Sequence, residues 1–217
     1  MLSFDVIIPA RLKSTRFPQK ALYKFYGLPM IEHVRRRALL INGVSNVFVA
    51  TCDKEIYDLI TSYDGKAIMT SKKCINGTER ASEASKKLNS DYIILLQGDE
   101  PCFYPEYIEK LIAAVKKTSG KFYNLVSSIT NKSSLIDISS VKCSLNNINE
   151  ITGCFRTTPF ISDFSFQKTF VKKLLGIMCF ERTFLTQINE LNLSNLSINE
   201  SIEQLALLEN SISMRAL

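Results

Sequence analysis

The sequence predicts an α/β protein, a mostly parallel sheet flanked by helices. Three observations predict it. Short β-branched runs alternate with helical patterns through the first 120 residues. The run Asp91–Leu96 (DYIILL) holds five apolar residues in succession, as a strand covered on both faces must. No repeat and no Pro-, Gly- or Ser-rich linker interrupts the 217 residues. One domain, 1–217, with an elaborated second half is therefore expected.

The elements follow in order. Phe4–Pro9 (FDVIIP) reads as a buried strand and Pro29–Leu40 as a helix with Ile31, Val34 and Ala38 on one side. Asn46–Ala50 is a second strand. Asp53 is a cap residue for a helix to about Tyr63, since a short polar side chain there can accept from the first free amides. Lys66–Met69 is a short third strand, Thr78–Leu88 a helix, Asp91–Leu96 the central strand and Pro105–Lys117 an amphipathic helix. Phe122–Ile129 and Val141–Leu145 read as further strands. Residues Asn146 to Phe170 are read as irregular, Leu174–Phe180 as a strand and Glu200–Asn210 as a helix. Strands joined by helical crossovers give a parallel sheet, and such sheets bind ligands at the carboxyl ends of their strands.

Composition narrows the function. The formal charge is +6, and residues 1–40 alone account for it, with eight basic residues against Asp5 and Glu32. A local excess points to a local anionic partner. The six cysteines are scattered without a C-x-x-C pair, and His33 is the only histidine, so a zinc site lacks material. Buried thiols in a reducing cytoplasm are expected. No apolar stretch is long enough to span a bilayer and the start lacks the regions of a secretory signal. The run Arg35–Arg37 has no aromatic interleaving, so it is read as a solvated face or a dimer contact rather than a nucleic-acid site.

Four segments could carry chemistry. The first, Pro9-Ala-Arg-Leu-Lys-Ser-Thr-Arg-Phe-Pro-Gln-Lys20, sets Arg11, Lys13, Arg16 and Lys20 directly after a buried strand. Any one of these charges alone is a solvated loop residue. Four together suit a triphosphate, whose charge is costly to take out of water. The spacing of a P-loop is absent. The second, Gln97-Gly-Asp-Glu-Pro101, places Asp99 at the end of the central strand. It is either a turn or a ligand for Mg²⁺, which takes one or two protein oxygens beside phosphates. The third, Asn76-Gly-Thr-Glu-Arg80, opens a helix; Thr78 or Asn76 serves as cap, while Arg80 near the positive helix end calls for an anionic partner. The fourth, Glu200-Ser-Ile-Glu-Gln-Leu205, is either a site or a solvated face.

In this order and spacing, the PAR-x-x-S-[ST]-R-x-P-x-K, M-T…N-G-T-E-R, Q-G-D-E-P and E-x-x-E-Q-L segments resemble the 3-deoxy-manno-octulosonate (Kdo) cytidylyltransferases, the CMP-Kdo synthetases of lipopolysaccharide assembly. The resemblance runs from Phe4 to about Leu217 and is strongest over 4–37 and 68–112. It implies a nucleotide-diphospho-sugar transferase (Rossmann-like) fold. It also implies a cytoplasmic homodimer, with CTP and a sugar acid as substrates and Mg²⁺ as cofactor, and neither nucleic-acid nor membrane partners. Residues 1–120 would be the nucleotide-binding half and 121–217 the sugar-binding and dimerisation half.

By motif position, Arg11, Lys20 and Asp99 would be catalytic. Arg11 and Lys20, helped by Ser14, would hold the triphosphate, and Asp99 would ligate the metal. Met69, Thr70 and Arg80 would form the nucleotide pocket and its support. Gln97 and Gly98 would line the junction of nucleotide and sugar. Glu203 and Gln204 would meet sugar hydroxyls and Arg156 the sugar carboxylate. The family pattern has His and Tyr where this sequence has Leu174 and Met178, Arg and His at Ser71 and Cys74, and Arg at Ala206. It continues into a G-x-[DN]-T-x-x-D segment with a second metal carboxylate, before which this sequence stops. Three functions fit these residues: cytidylyl transfer to Kdo or to a modified Kdo such as an 8-amino sugar, nucleotidyl transfer to a different sugar acid, and a catalytically weak nucleotide-binding paralogue.

Overall fold

The computed structural model describes residues 1–13, 17–191 and 195–217. The chain forms two compact units, Met1–Ser119 with Cys179–Asn189, and Gly120–Met178 with Glu190–Leu217.

The first unit is built on strands β1 (Phe4–Ala10), β4 (Asn46–Thr51), β5 (Lys66–Met69) and β6 (Tyr92–Leu96); β2 (Lys24–Phe25) and β3 (Leu28–Pro29) form a small separate ribbon. The sheet order is β6-β1-β4-β5, and every pair is parallel. All seven residues of β1 are buried, so the strand is covered on both faces, which explains its apolar run from Val6 to Ala10. Helices α1 (Met30–Ala38), α2 (Lys54–Ser62), α3 (Gly77–Ser85) and α4 (Pro105–Thr118) connect the strands. Each inserts apolar residues into the core: Ile31 and Val34, Ile56 and Ile60, Ala81 and Ala84, Ile108 and Leu111, all fully buried. Removing one such aliphatic side chain from water stabilises the fold by ~1.5–3 kcal/mol.

Register decides what gathers at the edge. Ile7 pairs with Leu95 and Ala10 with Thr51, so the chain leaving β6 rises beside Pro9. β1 lies between β4 and β6, so the chain departs to one side of it and returns on the other. The crevice of an open α/β sheet forms at such a switch point. The segment leaving β1 is the basic one.

The second unit holds β7 (Phe122–Ser128), α5 (Lys132–Ile136), β8 (Lys142–Leu145), β9 (Ile151–Phe155), α6 (Phe164–Phe170), most of β10 (Val171–Glu181), α8 (Asn195–Glu200), α9 (Glu203–Glu209) and β11 (Arg215–Ala216). Helix α7 (Arg182–Gln187) returns to the first unit, where it packs on α3 and β6. In the second unit β11 runs parallel to β7, and β8 is antiparallel to both β10 and β9. A satellite core forms around Ile129, Leu135 and Val171 with Phe155, Phe160, Phe164 and Phe170. Phe160 and Phe170 meet edge to face, centroids 5.0 Å apart.

Four sequence expectations need correction. The stretch 146–170 is not irregular. It contains β9 and α6, because Asn146 accepts from the amides of Ile148 and Glu150 and turns β8 into a hairpin, and Asp163 caps α6. The expected helix over 200–210 is two helices, broken at Ser201, whose φ of 51° is left-handed. The Arg35–Arg37 run is a solvated face only at Arg36, which is exposed; Arg35 is buried and Arg37 half-buried. Arg35 grips the fully buried Glu32 with two bonds of 2.7 Å, Arg36 adds a third of 2.7 Å, and Arg37 reaches the carbonyl of Phe103. The cysteines are not all core thiols: Cys74, Cys143, Cys154 and Cys179 are buried, but Cys102 is exposed and Cys52 half-buried. Among the described residues no helix is long and apolar enough to cross a membrane.

Candidate active site

A cleft of about 380 Å³ opens at the carboxyl edge of the first unit's sheet. Arg11, Lys13, Lys20, Arg80, Gln97, Gly98 and Asp99 line it together with Pro9, Asn76 and Gly77. Three of the four candidate segments thus converge in one unit. Ser14 and Arg16 lie outside the described residues.

The floor is set by backbone approach. A Cβ on Gly98 would lie 2.9 Å from the carbonyl oxygen of Pro9 and 3.2 Å from Ile31 Cδ1. Only glycine lets the turn after β6 sit this close to β1. Glu100 N donates to Gln97 O at 3.2 Å and closes that turn, and Asp99 is carried on it into the cleft.

The walls are cationic. Gln19 adopts a left-handed φ of 56°, its amide donates to Leu12 O at 3.0 Å, and Lys20 follows in a short 3-10 turn. Lys20 Nζ lies 2.8 Å from Asp99 Oδ2, both side chains remaining partly exposed. Arg11 Nη1 donates to Ile75 O at 3.1 Å. Asp53 does not cap its helix. Its carboxylate instead accepts the amide of Leu12 at 2.7 Å, anchoring the start of the basic segment to the neighbouring strand end. Read from the sequence, this residue is only a cap; its place just after β4 is the one signal for the role seen here.

Helix α3 supplies the last wall. Asn76 accepts from Glu79 N at 2.8 Å, and Glu79 Oε2 accepts from Ile75 N at 3.0 Å, a reciprocal cap. The cap residue is Asn76, not Thr78. Arg80, only 3% exposed, donates to Thr70 Oγ1 at 2.6 Å and to Cys74 O at 3.5 Å. Both acceptors are uncharged and Arg80 is in no salt bridge among the described residues, so the buried guanidinium still attracts an anion in the cleft. Thr70 is held in turn by its amide bond to Thr51 O at 2.8 Å. Met69 lies beside it, partly exposed. Glu83, which the motif reading missed, accepts from Ser71 N at 2.8 Å and from Cys74 Sγ at 3.2 Å. Burial, and then that carboxylate, push the Cys74 thiol up to about 11.

For a divalent cation, the described residues offer no cluster of three or more ligating groups. Asp99 gives a single carboxylate inside a phosphate-sized, cation-lined cleft. That donor set fits Mg²⁺, which binds through one or two carboxylates, waters and the substrate's phosphates.

Of the expected sugar-binding residues, Gln97 lines the cleft of the first unit, while Arg156, Glu203 and Gln204 lie in the second unit. Gln204 and Glu203 open α9. Arg156 donates to four main-chain oxygens, those of Ile138, Ser139, Glu200 and Ser201. The fully buried Lys142 takes the neighbouring carbonyls of Asp137 and Ser140. The two cations grip residues 137–140 from within, so Arg156 has spent most of its donors on the fold.

A parallel sheet with a cation-lined, carboxylate-bearing cleft at its switch point defines a nucleotidyltransferase. The chain belongs to the cytidylyltransferase family, whose model matches residues 6–214. The 8-amino-3,8-dideoxy-manno-octulosonate cytidylyltransferase of Shewanella baltica (strain OS155 / ATCC BAA-1091) is 37% identical over 214 residues, 96% of this chain and 86% of that protein. The enzyme of the same name from Shewanella sediminis (strain HAW-EB3) is 34% identical over 99% of this chain and 89% of its own. Among solved structures, a CMP:2-keto-3-deoxy-manno-octonic acid synthetase complexed with CTP matches with a TM-score of 0.92 at 33% identity, over 99% of this chain and 89% of that one. A cytidylyltransferase from Leptospira borgpetersenii serovar Hardjo-bovis (strain JB197) shares the fold, with a TM-score of 0.66 at 14% identity over 100% of this chain and 76% of its own. The fold and family expected from the motifs are thereby borne out.

Proposed function

We propose that the enzyme transfers CMP from CTP to the anomeric hydroxyl of 3-deoxy-manno-octulosonate or of its 8-amino-3,8-dideoxy form, releasing pyrophosphate, for lipopolysaccharide synthesis. The cleft carries the reading: four cations, Arg11, Lys13, Lys20 and Arg80, line it together with one carboxylate, Asp99, which pairs with Lys20, in a member of the cytidylyltransferase family. The names of its relatives support the choice of sugar acid.

The anomeric oxygen attacks the α-phosphorus in line, a new P–O bond forms, and the bond to the β-phosphate oxygen breaks. Catalysis of this kind is positioning plus neutralisation of developing charge. Arg11 and Lys20 hold the phosphates and stabilise the charge that grows on the departing pyrophosphate. Arg80 keeps Thr70, and with it the Met69–Thr70 edge, in place for the nucleoside. Gly98 and Gln97 keep the floor close to the reacting phosphate. Asp99 supplies the protein oxygen for Mg²⁺, which when bound neutralises phosphate charge. Gln204 and Glu203 contact the sugar. By the same resemblance, the working form is a cytoplasmic homodimer.

The test is direct. CTP, Mg²⁺ and each of the two sugar acids are mixed with the protein and pyrophosphate is followed. Release well above background with either sugar is expected; none with both would overturn the reading.

A further inference from the structure

Asn124 is fully buried in β7. Its amide nitrogen donates to three main-chain carbonyls, Leu125 O at 2.8 Å, Leu175 O at 3.0 Å and Ile177 O at 3.4 Å. This fixes which way the carboxamide points. Reversing it would set its oxygen against three carbonyl oxygens, with the cost of an unsatisfied buried group. Its Oδ1 must therefore face the other way, and there it accepts from Gln204 Nε2 at 3.0 Å. The same nitrogen lies 3.5 Å from the sulfur of Met178, a second acceptor.

The orientation of Gln204 follows by the same logic. Its nitrogen is committed inward to an oxygen and a sulfur, so its oxygen is directed away from them. The side chain is only half-buried, and among the described residues no donor is bonded to Oε1. We infer that Asn124 is a positioning residue: it locks the Gln204 carboxamide so that an acceptor, and not a donor, is presented to substrate. The substrate group that meets Gln204 is then a hydrogen-bond donor, a hydroxyl or an ammonium group, and never the carboxylate of the sugar acid. This rests on the sugar-acid reading above and adds the chemical polarity of one contact.

Two substitutions at Gln204 separate the possibilities. Gln204→Met and Gln204→Glu both lose the donor to Asn124, and glutamate also sets a carboxylate oxygen against Asn124 Oδ1, so both lower the melting temperature and Gln204→Glu lowers it more. Only glutamate keeps an outward acceptor. With 3-deoxy-manno-octulosonate, Gln204→Met is expected to raise the sugar KM about tenfold, the loss of one hydrogen bond, with the KM for CTP unchanged. Gln204→Glu is expected to lose less than Gln204→Met, raising the sugar KM about threefold rather than tenfold, and to favour the 8-amino sugar through a charge-assisted bond. If the ammonium group is the partner, that preference appears; if a hydroxyl is, the two sugars respond alike. Asn124→Leu should reproduce the sugar-specific KM increase, and if that variant does not fold the Gln204 pair still decides. Equal losses in Gln204→Glu and Gln204→Met would overturn the inference. An unmutated enzyme inactive with both sugars would instead overturn the sugar-acid reading.

Discussion

Lys20 and Asp99 form an ion pair of 2.8 Å in the cleft, and each is the other's charge partner there. Both groups have other work in the proposed reaction, one on phosphate and one on metal. The pair holds them in place, and in the proposed reaction it would be exchanged for substrate contacts. A partly exposed pair contributes only ~0–1 kcal/mol to stability, so exchanging it costs the fold little.

Lys20→Ala should therefore leave the melting temperature nearly unchanged while lowering kcat/KM by about 100- to 1,000-fold, the range for losing one preorganised charge-stabilising donor. CTP should raise the melting temperature of the unmutated protein and not that of the variant. Steady-state pyrophosphate release and thermal melts measure both. A large loss of stability with kinetics intact would contradict the assignment.

Asp53→Ala frees the amide of Leu12. A bond to a charged acceptor contributes ~1.5–3 kcal/mol, and here that energy holds the basic segment against β4. The expected result is a KM for CTP raised about tenfold or more. Asp53→Asn, which keeps an acceptor oxygen, should recover most of the loss. A pure stability defect with an unchanged KM would assign Asp53 to the helix and not to the cleft.

Glu32→Gln leaves Arg35 buried with its charge partner neutralised. Breaking a buried pair from one side costs ~3–5 kcal/mol, so denaturant midpoints should fall sharply. CTP kinetics measured well below the new melting temperature should be close to normal, because the Glu32 cluster is not part of the cleft lining. A mild effect, as for a surface pair, would restore the solvated-face reading of the arginine run.

Thiol labelling should follow burial. At pH 8, iodoacetamide is expected to modify Cys102 first and Cys52 next. Burial raises Cys74 to about 11 and Cys143 to about 12, and raises Cys154 and Cys179 further still. A raised thiol pKa stabilises the native state below the unfolded value of 9.0, and that contribution is lost as pH climbs above it. Melting temperatures should fall between pH 9 and about 11. Mass spectrometry of the labelled protein checks the order; early labelling of Cys143 would refute it.

The first half was legible because local pattern and tertiary role agree there. The buried strands read as unbroken apolar runs, and Lys66–Met69 begins and ends where the sequence predicts. The cleft was legible because Arg11 and Asp99 each directly follow a strand or its turn, and Lys20 closes the basic segment that Arg11 opens. Asp53 and Glu83 were not, since each makes its bond to a main-chain amide that the sequence does not mark. Arg35 was misread because a charge run carries no sign of its partner: Glu32 lies one turn away on the same helix, and only burial makes the pairing obligatory. The region 146–170 failed for a different reason. Its strand and helix are short and aromatic-rich, and the hairpin turn at Asn146–Asn149 is set by one asparagine side chain. Arg156 was given a ligand role by position, while four main-chain carbonyls claim it.

The passage of α7 back into the first unit has a consequence for biosynthesis. Residues 1–119 leave the ribosome early, yet the helix that packs on α3 and β6 is encoded only at 182–187. For the translation of more than 60 further residues, the nascent nucleotide half therefore waits with that flank of Ala- and Ser-rich helix uncovered. A gene fragment ending near residue 120 should yield a product that chaperones retain, and expressing 1–190 should relieve it. The unit proposed to hold the triphosphate is early in the message but among the last to be closed.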